Sequence, residues 1–201
     1  LFLSVQANNT KISKWLINKV EDIGSLTMKN GVTPLYYSIG HKNKEVSSLL
    51  MKKGAKLNAI VLPLRFSLLQ KAIISSDIKM AKLLIKKGVN ILHRDRKDMT
   101  AFHYAIIGGH KDFVVELIKI YKVSASLMAA KVSALSLAIS FNKPQVAVAL
   151  INHGAKVNLI NKKGDPLLKV AISKRYYGVA KAMIRRGASI KAKDKQGFSV
   201  E

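Results

Sequence analysis

The stretch TAFHYAIIGGHKDFVVELI, residues 100–118, holds two apolar runs that are separated by a pair of glycines and a histidine. Each run carries its apolar side chains at helical spacing, and Thr100 precedes the first run as a helix-capping residue would. The stretch therefore predicts two short helices joined by a tight turn. It also contains His103 and His110, with Asp112 close by, so a metal or catalytic site has to be weighed against a structural role.

The same pattern recurs along the chain at intervals of 33 or 34 residues. In most copies a glycine follows the second helix, as is typical of a left-handed helix cap, and the spacings are 34, 66 and 33 residues for Gly54, Gly88, Gly154 and Gly187. Phrases such as TPLYYSIGHKNKEV, SALSLAISFNKPQV and PLLKVAISKRYYGV precede those second helices. The periodicity predicts a partial first unit and five further units, at 1–32, 33–66, 67–99, 100–132, 133–165 and 166–198.

These phrases resemble the ankyrin repeat, whose pattern runs T-P-L-H-x-A, a G-H turn and a leucine-rich helix followed by G-A-D-V-N-A. The resemblance rests on the opening stretch together with TPLYYSI (33–39), KKGAKLNA (52–59) and NHGAKVNL (152–159). It covers essentially the whole chain. It implies an all-α ankyrin-repeat solenoid, in which helix–turn–helix units with hairpin loops stack in a single domain over residues 1–201.

The chain departs from the family pattern at two kinds of position. The family's aspartate after Gly-Ala is replaced by lysine, asparagine or serine, at Lys56, Asn90, Lys156 and Ser189. In the fourth unit, Tyr121 and Lys122 stand where the glycine is expected, and residues 120–132 lack an Asp or Gly turn. We therefore expect the hairpin of this unit to be distorted or shorter.

The two histidines of the opening stretch do not suit a shared zinc ion. On one continuous helix, seven residues correspond to about 10 Å of rise, whereas zinc needs nitrogen ligands at about 2.0–2.1 Å. The resemblance places His103 at the T-P-L-H position, which helps to tie units together, and His110 in the G-H turn. With no cysteine and no phosphate-binding loop or metal-binding helix pattern, we expect no catalytic site, no metal and no cofactor.

Helix caps and core positions follow from the same frame. Thr33-Pro34 and Asp165-Pro166 are typical of an N-cap followed by proline, and Ser67 and Ser133 are further caps. Small residues are expected at close helix contacts, at Ala72, Ala105, Ala138 and Ala171. The predicted core between helices comprises Leu49, Leu50, Leu83, Leu84, Leu117, Leu150 and Met183.

The charge of the chain favours acidic partners. Thirty-five Lys and Arg against eleven Asp and Glu give a net charge of +24. Twenty-nine of the cations are Lys and only six are Arg, the residue best suited to bidentate phosphate recognition. The excess of lysine is explained equally well by AT-rich codons, and both interpretations stay open.

The hairpin turns between units hold the candidate binding residues. Projecting in a row, their cations would form a basic ridge for an acidic partner; the alternative is a solvated edge without a partner. The candidates are Arg94, Arg96 and Lys97 in the third unit, Lys162 and Lys163 in the fifth, and Lys193 and Lys195 in the sixth.

Two further sets of side chains are candidates for binding. In the second hairpin, apolar residues stand where the family has polar ones, so the loop either folds back onto its neighbour or exposes an interface. That set is Ile60, Val61, Leu62 and Leu64. The other set consists of aromatic residues near the start of first helices, which are either anchors in a concave groove or packing between units: Tyr36, Tyr37 and Tyr104.

We expect a monomeric, intracellular, non-catalytic scaffold that binds an acidic protein, and, by analogy alone, an effector that an AT-rich microbe delivers into a host cell. Direct binding of nucleic acid or anionic lipid is the first alternative. The second is a targeting arm whose enzyme lies outside these 201 residues, because the chain starts at Leu1 and stops in mid-pattern as a fragment would. Apolar runs of about eight residues fall short of the roughly 20 that span a bilayer.

Overall fold

A computed structural model describes residues 1–200, which form twelve helices and two short antiparallel hairpins. The backbone divides within the seventh helix into two compact units, Leu1–Tyr104 and Ala105–Glu201. From here on, the first unit and the second unit mean these two parts, and the six units predicted from the sequence are called repeats. The six helix pairs fall one in each predicted repeat. That the repeats form a single domain over 1–201 stays a prediction.

In the first unit, consecutive repeats stack so that first helices pack on first helices and second helices on second helices: α1 on α3, α3 on α5, and α2 on α4. The elements of the first unit are α1 (Phe2–Gln6), α2 (Thr10–Lys19), α3 (Pro34–Gly40), α4 (Lys44–Lys52), β1 (Ile60–Val61), β2 (Phe66–Ser67), α5 (Leu68–Ile74), α6 (Ile78–Lys86) and the start of α7 (Ala101–Gly108).

The second unit repeats this arrangement, with α9 packed on α11, and α10 packed on both α8 and α12. Its elements after α7 are α8 (Lys111–Lys119), β3 (Met128–Ala129), β4 (Val132–Ser133), α9 (Ala134–Ser140), α10 (Pro144–Asn152), α11 (Leu167–Ser173) and α12 (Tyr177–Arg185).

Side-chain caps begin several of the helices. Thr33, Ser67 and Ser133 each accept a hydrogen bond from the backbone N–H three residues later, which confirms those predicted caps. The predicted cap at Asp165 is wrong. Helix α11 begins at Leu167, and Oδ2 of Asp165 instead accepts a hydrogen bond from Nδ2 of Asn161 at 2.9 Å, within the preceding hairpin.

The glycines after the second helices adopt the predicted left-handed conformation, with φ between 81° and 88° at Gly54, Gly88, Gly154 and Gly187. In the fourth repeat Lys122 takes this conformation, with φ of 57°. Lys122 lies three residues after the end of α8 rather than two, and the closing bond from the Val123 N–H to the Leu117 carbonyl spans six residues instead of five. This turn is therefore one residue longer, and it places a lysine in a conformation that costs backbone strain.

The hairpin of the fourth repeat is shorter than that of the second. Strands β3 and β4 are joined by two residues, Ala130 and Lys131, which both have positive φ (45° and 64°), whereas four residues join β1 and β2. Two successive positive φ angles are the requirement of a type I′ turn, which usually carries Asn-Gly.

The predicted core is largely confirmed. Side chains at Leu50, Leu84, Leu117, Leu150 and Met183 have no exposed surface. Leu49 and Leu83 are only half-buried, because they lie one position away from the buried stripe of α4 and α6. The four predicted alanine contacts are all fully buried, at Ala72, Ala105, Ala138 and Ala171.

Candidate protein-interaction surface

The two histidines of the opening stretch, His103 and His110, pack against their own helices and turn. His103 is fully buried, and its Nδ1 accepts a hydrogen bond from the Thr100 backbone N–H at 3.1 Å and lies 2.9 Å from the Thr100 hydroxyl. His110 stands at the N-cap of α8, and its ring covers Gly108 so closely that a Cβ there would lie 2.6 Å from Nε2. Within residues 1–200, no cluster of three metal-ligating side chains occurs.

Three hairpin tips share one turn geometry. In each, Oδ1 of the leading Asp or Asn accepts hydrogen bonds from the backbone N–H groups two and four residues later. The distances are 2.8 and 3.0 Å at Asp95, 2.8 and 2.9 Å at Asn161, and 2.9 and 3.0 Å at Asp194. The oxygen atoms at the head of each turn are therefore used to shape the backbone, while the residues that follow project outward.

At the third tip, the second carboxylate oxygen is also occupied. The hydroxyl of Tyr104 donates a hydrogen bond to Oδ2 of the buried Asp95 at 2.5 Å, and its ring packs edge-on against Phe66 with centroids 5.9 Å apart. Burial raises the pKa of Tyr104, and the hydrogen bond and negative charge of Asp95 raise it further. The hydroxyl of this candidate anchor is therefore committed to the hairpin.

At the sixth tip, the carboxylate of Asp194 is neutralised by a lysine of α11. The Lys169 ammonium group donates to Oδ2 of Asp194, whose side chain is only 4% exposed. This hydrogen bond lowers the pKa of Asp194, against the opposing effect of burial. The Lys169 Nζ atom also lies 5.4 Å from the centroid of the Phe198 ring.

The candidate cations are exposed on the tips, and we call Arg94, Arg96, Lys97, Lys162, Lys163, Lys193 and Lys195 the basic tips. Arg94 differs from the others, since it pairs with the Asp98 carboxylate at 2.8 Å. In the second unit the two tips are adjacent, because the stem of Lys195 lies against Gly164; a Cβ there would be 2.5 Å from Cε of Lys195.

The backbone of the second hairpin bonds to its neighbouring hairpins, while some of its apolar side chains are exposed. Its backbone bonds to the hairpins on either side: the Leu62 N–H donates to the Asn30 carbonyl at 2.7 Å, and the Leu64 carbonyl accepts from the Arg96 N–H at 2.9 Å. Val61 is buried and Ile60 is half-buried, but the side chains of Leu62 and Leu64 are 50% and 41% exposed. Two apolar side chains thus stand beside the cations of the third tip.

Tyr36 and Tyr37 lie half-buried on α3, with their rings edge to face and centroids 6.4 Å apart. The Lys71 Nζ atom lies 5.0 Å from the centroid of the Tyr36 ring. Burial raises the pKa of Tyr36, and repulsion from Tyr37 adds to the shift. A cation therefore already occupies one face of Tyr36.

The second unit contains a cleft beside α9 that the sequence did not predict. Two cavities of about 300 and 280 Å³ share Val132, Ser136, Asn161 and Lys162 as lining residues. Together they form what we call the α9 cleft, lined also by Lys131, Ser133, Leu137, Ser140, Phe141, Ile160 and Lys163. The one available signal was Phe141, an aromatic residue at the end of a first helix, where the family has its G-H turn.

Comparisons with known proteins agree with this geometry. A family model described as ankyrin repeats in many copies matches residues 69–118. Putative ankyrin repeat protein L371 of Acanthamoeba polyphaga mimivirus is 30% identical over 112 residues, which are 56% of this chain and 14% of that protein. Phosphocholine transferase AnkX of Legionella pneumophila is 23% identical over 209 residues, 94% of this chain and 22% of that protein. The chain thus spans less than a quarter of either relative.

Solved structures match over nearly the whole chain. The ankyrin repeat domain of human ASB11 superposes with a TM-score of 0.80 over 98% of this chain and 88% of that one, at 19% identity, so the likeness concerns the fold. No helix of residues 1–200 has both the length and the apolarity needed to cross a membrane. Ankyrin stacks in general present an extended surface for binding other proteins. The predicted resemblance and fold are confirmed: residues 69–118 match the ankyrin-repeat family model, and the chain has the ankyrin-repeat fold.

Proposed function

We propose that this chain is a non-catalytic scaffold whose basic tips bind an acidic surface of a partner protein. The observation that supports this most strongly is that the hairpins bury or pair their carboxylates but expose their cations. The carboxylates at the head of the tips are turned inward, onto backbone N–H groups, Tyr104 or Lys169, while the cations that follow them are exposed. Such an arrangement leaves a positive rim facing outward.

The mixed character of the first unit favours a protein over a simple polyanion. Leu62 and Leu64 are exposed next to Arg96, so apolar and cationic groups are offered together. Protein interfaces combine apolar contacts with a polar rim, whereas sequence-independent binding to a nucleic-acid backbone is driven mainly by charge.

A long segment of the second unit is strongly basic. Between residues 117 and 200 the chain holds sixteen Lys and Arg and only two carboxylates, Asp165 and Asp194, both of which are bonded within hairpins. This imbalance favours the alternative of nucleic acid or anionic lipid. Against it, only two of the seven basic-tip residues are arginines, and Arg94 is paired with Asp98.

A targeting arm of a larger enzyme is compatible with the same binding surface. AnkX is a phosphocholine transferase, and its match to this chain covers only 22% of its length. By that analogy we propose that the repeats deliver an attached activity to a partner, as in a microbial effector that acts inside a host cell.

A pull-down distinguishes protein from nucleic acid. The full chain is immobilised and exposed to lysate with and without nuclease, at ordinary and at raised salt. We expect discrete protein bands that persist after nuclease and are weakened in the variant R96E/K97E/K162E/K163E. Loss of all bound material after nuclease would overturn the proposal in favour of nucleic acid.

A further inference from the structure

We propose that the α9 cleft accepts one apolar side chain from an extended acidic segment of the partner, with carboxylates next to that side chain held by Lys131, Lys162 and Lys163. This inference rests on the proposed function and specifies what one part of the surface recognises. The occupant is a segment of protein with acidic residues on both sides of a bulky apolar one.

The shape and lining of the cleft suit an apolar side chain. The first cavity, about 300 Å³, is lined by Val132 and Leu137 and bounded by Phe141, whose side chain is 48% exposed. Its volume falls at the lower end of ordinary ligand sites. A carboxylate would lose hydration against this wall without compensation, whereas a leucine or phenylalanine side chain would gain by burial.

Three lysines line the two cavities of the cleft. Lys162 lines both cavities, Lys163 lines the first and Lys131 lines the second, and all three side chains are exposed. Among residues 1–200, no carboxylate pairs with any of them; the nearby Asp165 is bonded to Asn161 instead. Carboxylates from a partner would relieve the mutual repulsion of these cations.

The remaining polar groups fit a peptide better than a nucleic acid. Ser136 and Ser140 lie one helical turn apart on α9, where their hydroxyls can bond the backbone of an extended segment. Among the described residues that line the cleft there is lysine but no arginine, and Phe141 is the one aromatic residue. Single-stranded nucleic acids are held on several stacking aromatic rings, often with arginine.

The test uses fluorescein-labelled nine-residue peptides of Glu and Asp whose central residue is Leu, Phe or Ala, measured by anisotropy against the full chain. We expect the Leu and Phe peptides to bind at least about tenfold more tightly than the Ala peptide. Ser140→Trp, which fills the cleft, should abolish that preference. Ser173→Trp, at the equivalent last position of α11, is the matched control and should keep it.

Two further variants separate charge from shape. Phe141→Ala, at an exposed position, should also remove the preference, and it covers the case that Ser140→Trp fails to fold. Lys162→Glu should weaken all three peptides by similar factors, because it changes the shared electrostatic attraction rather than the apolar contact.

The outcomes distinguish this inference from the proposed function. Equal affinities of wild-type chain for the three peptides overturn the cleft assignment but leave acidic binding intact. Failure of every peptide to bind, together with no protein captured after nuclease treatment, overturns the proposed function itself. Displacement of all peptides by a nine-residue thymidine oligonucleotide at lower concentration, whatever the central residue, overturns the inference in favour of nucleic acid.

Discussion

Lys122 occupies a backbone conformation that the other repeats give to glycine. Its φ of 57° costs an L-residue roughly 1 kcal/mol, mainly through contact of Cβ with the backbone. We therefore expect Lys122→Gly to raise the free energy of unfolding by about 0.5–1 kcal/mol in urea titrations. Lys53→Gly is the control: Lys53 has an ordinary φ of −86°, so glycine there should destabilise by a similar amount. Equal effects at both positions would contradict the account.

Tyr104 links α7 to the third tip through Asp95. Tyr104→Phe keeps the ring but leaves Oδ2 of Asp95 without this donor, so we expect the free energy of unfolding to fall by about 1–2 kcal/mol near neutral pH. The measurement is urea unfolding monitored by circular dichroism, with Tyr121→Phe, outside the third tip, as the control.

The same bond makes stability depend on alkaline pH. The pKa of Tyr104 is higher in the folded chain than the ordinary value of about 10, so its stabilisation is complete below pH 10 and is lost as pH rises towards the folded pKa. Wild-type chain should lose more stability than Tyr104→Phe between pH 9 and 11. Identical losses would show that Tyr104 ionises freely.

The hairpin of β3 and β4 has a strained turn, since Ala130 and Lys131 both adopt positive φ. The double substitution A130N/K131G supplies the Asn-Gly pair that a type I′ turn prefers. We expect it to increase the midpoint of urea unfolding by the equivalent of about 1 kcal/mol. Ala130→Val, which introduces a β-branched side chain, should lower the midpoint; the opposite order would contradict the assigned turn.

At this scale the sequence predicted what local chemistry determines. The helix pairs could be predicted because each of their signals acts within a few residues. Those signals are the helical spacing of apolar residues, the recurring glycines, and the caps at Thr33, Ser67 and Ser133. The turn at Ala130 carries no Asn or Gly, so only its strands reveal it. The α9 cleft joins residues 132–141 to residues 160–163, a juxtaposition that depends on how repeats stack, and Phe141, its one local signal, does not by itself predict a cleft.

For the whole molecule, the central question is whether partner binding depends on where the positive charges lie or only on the total charge. Net charge of +24 attracts any polyanion, whereas the proposed surface assigns the binding to the tips.

The prediction of one domain over residues 1–201 has its own test at this scale: a single cooperative unfolding transition by circular dichroism and by fluorescence of Trp15. Two separate transitions would show that the two units unfold independently.

The most direct measurement compares two variants of equal charge by calorimetric titration with the captured partner. One reverses four basic-tip cations (R96E/K97E/K162E/K163E); the other reverses four exposed cations at the ends of α4 and α6 (K52E/K53E/K86E/K87E). We predict that the first loses about a hundredfold in affinity and that the second loses less than about threefold. Equal losses, or no loss in the first variant, would contradict the assignment of binding to the basic tips.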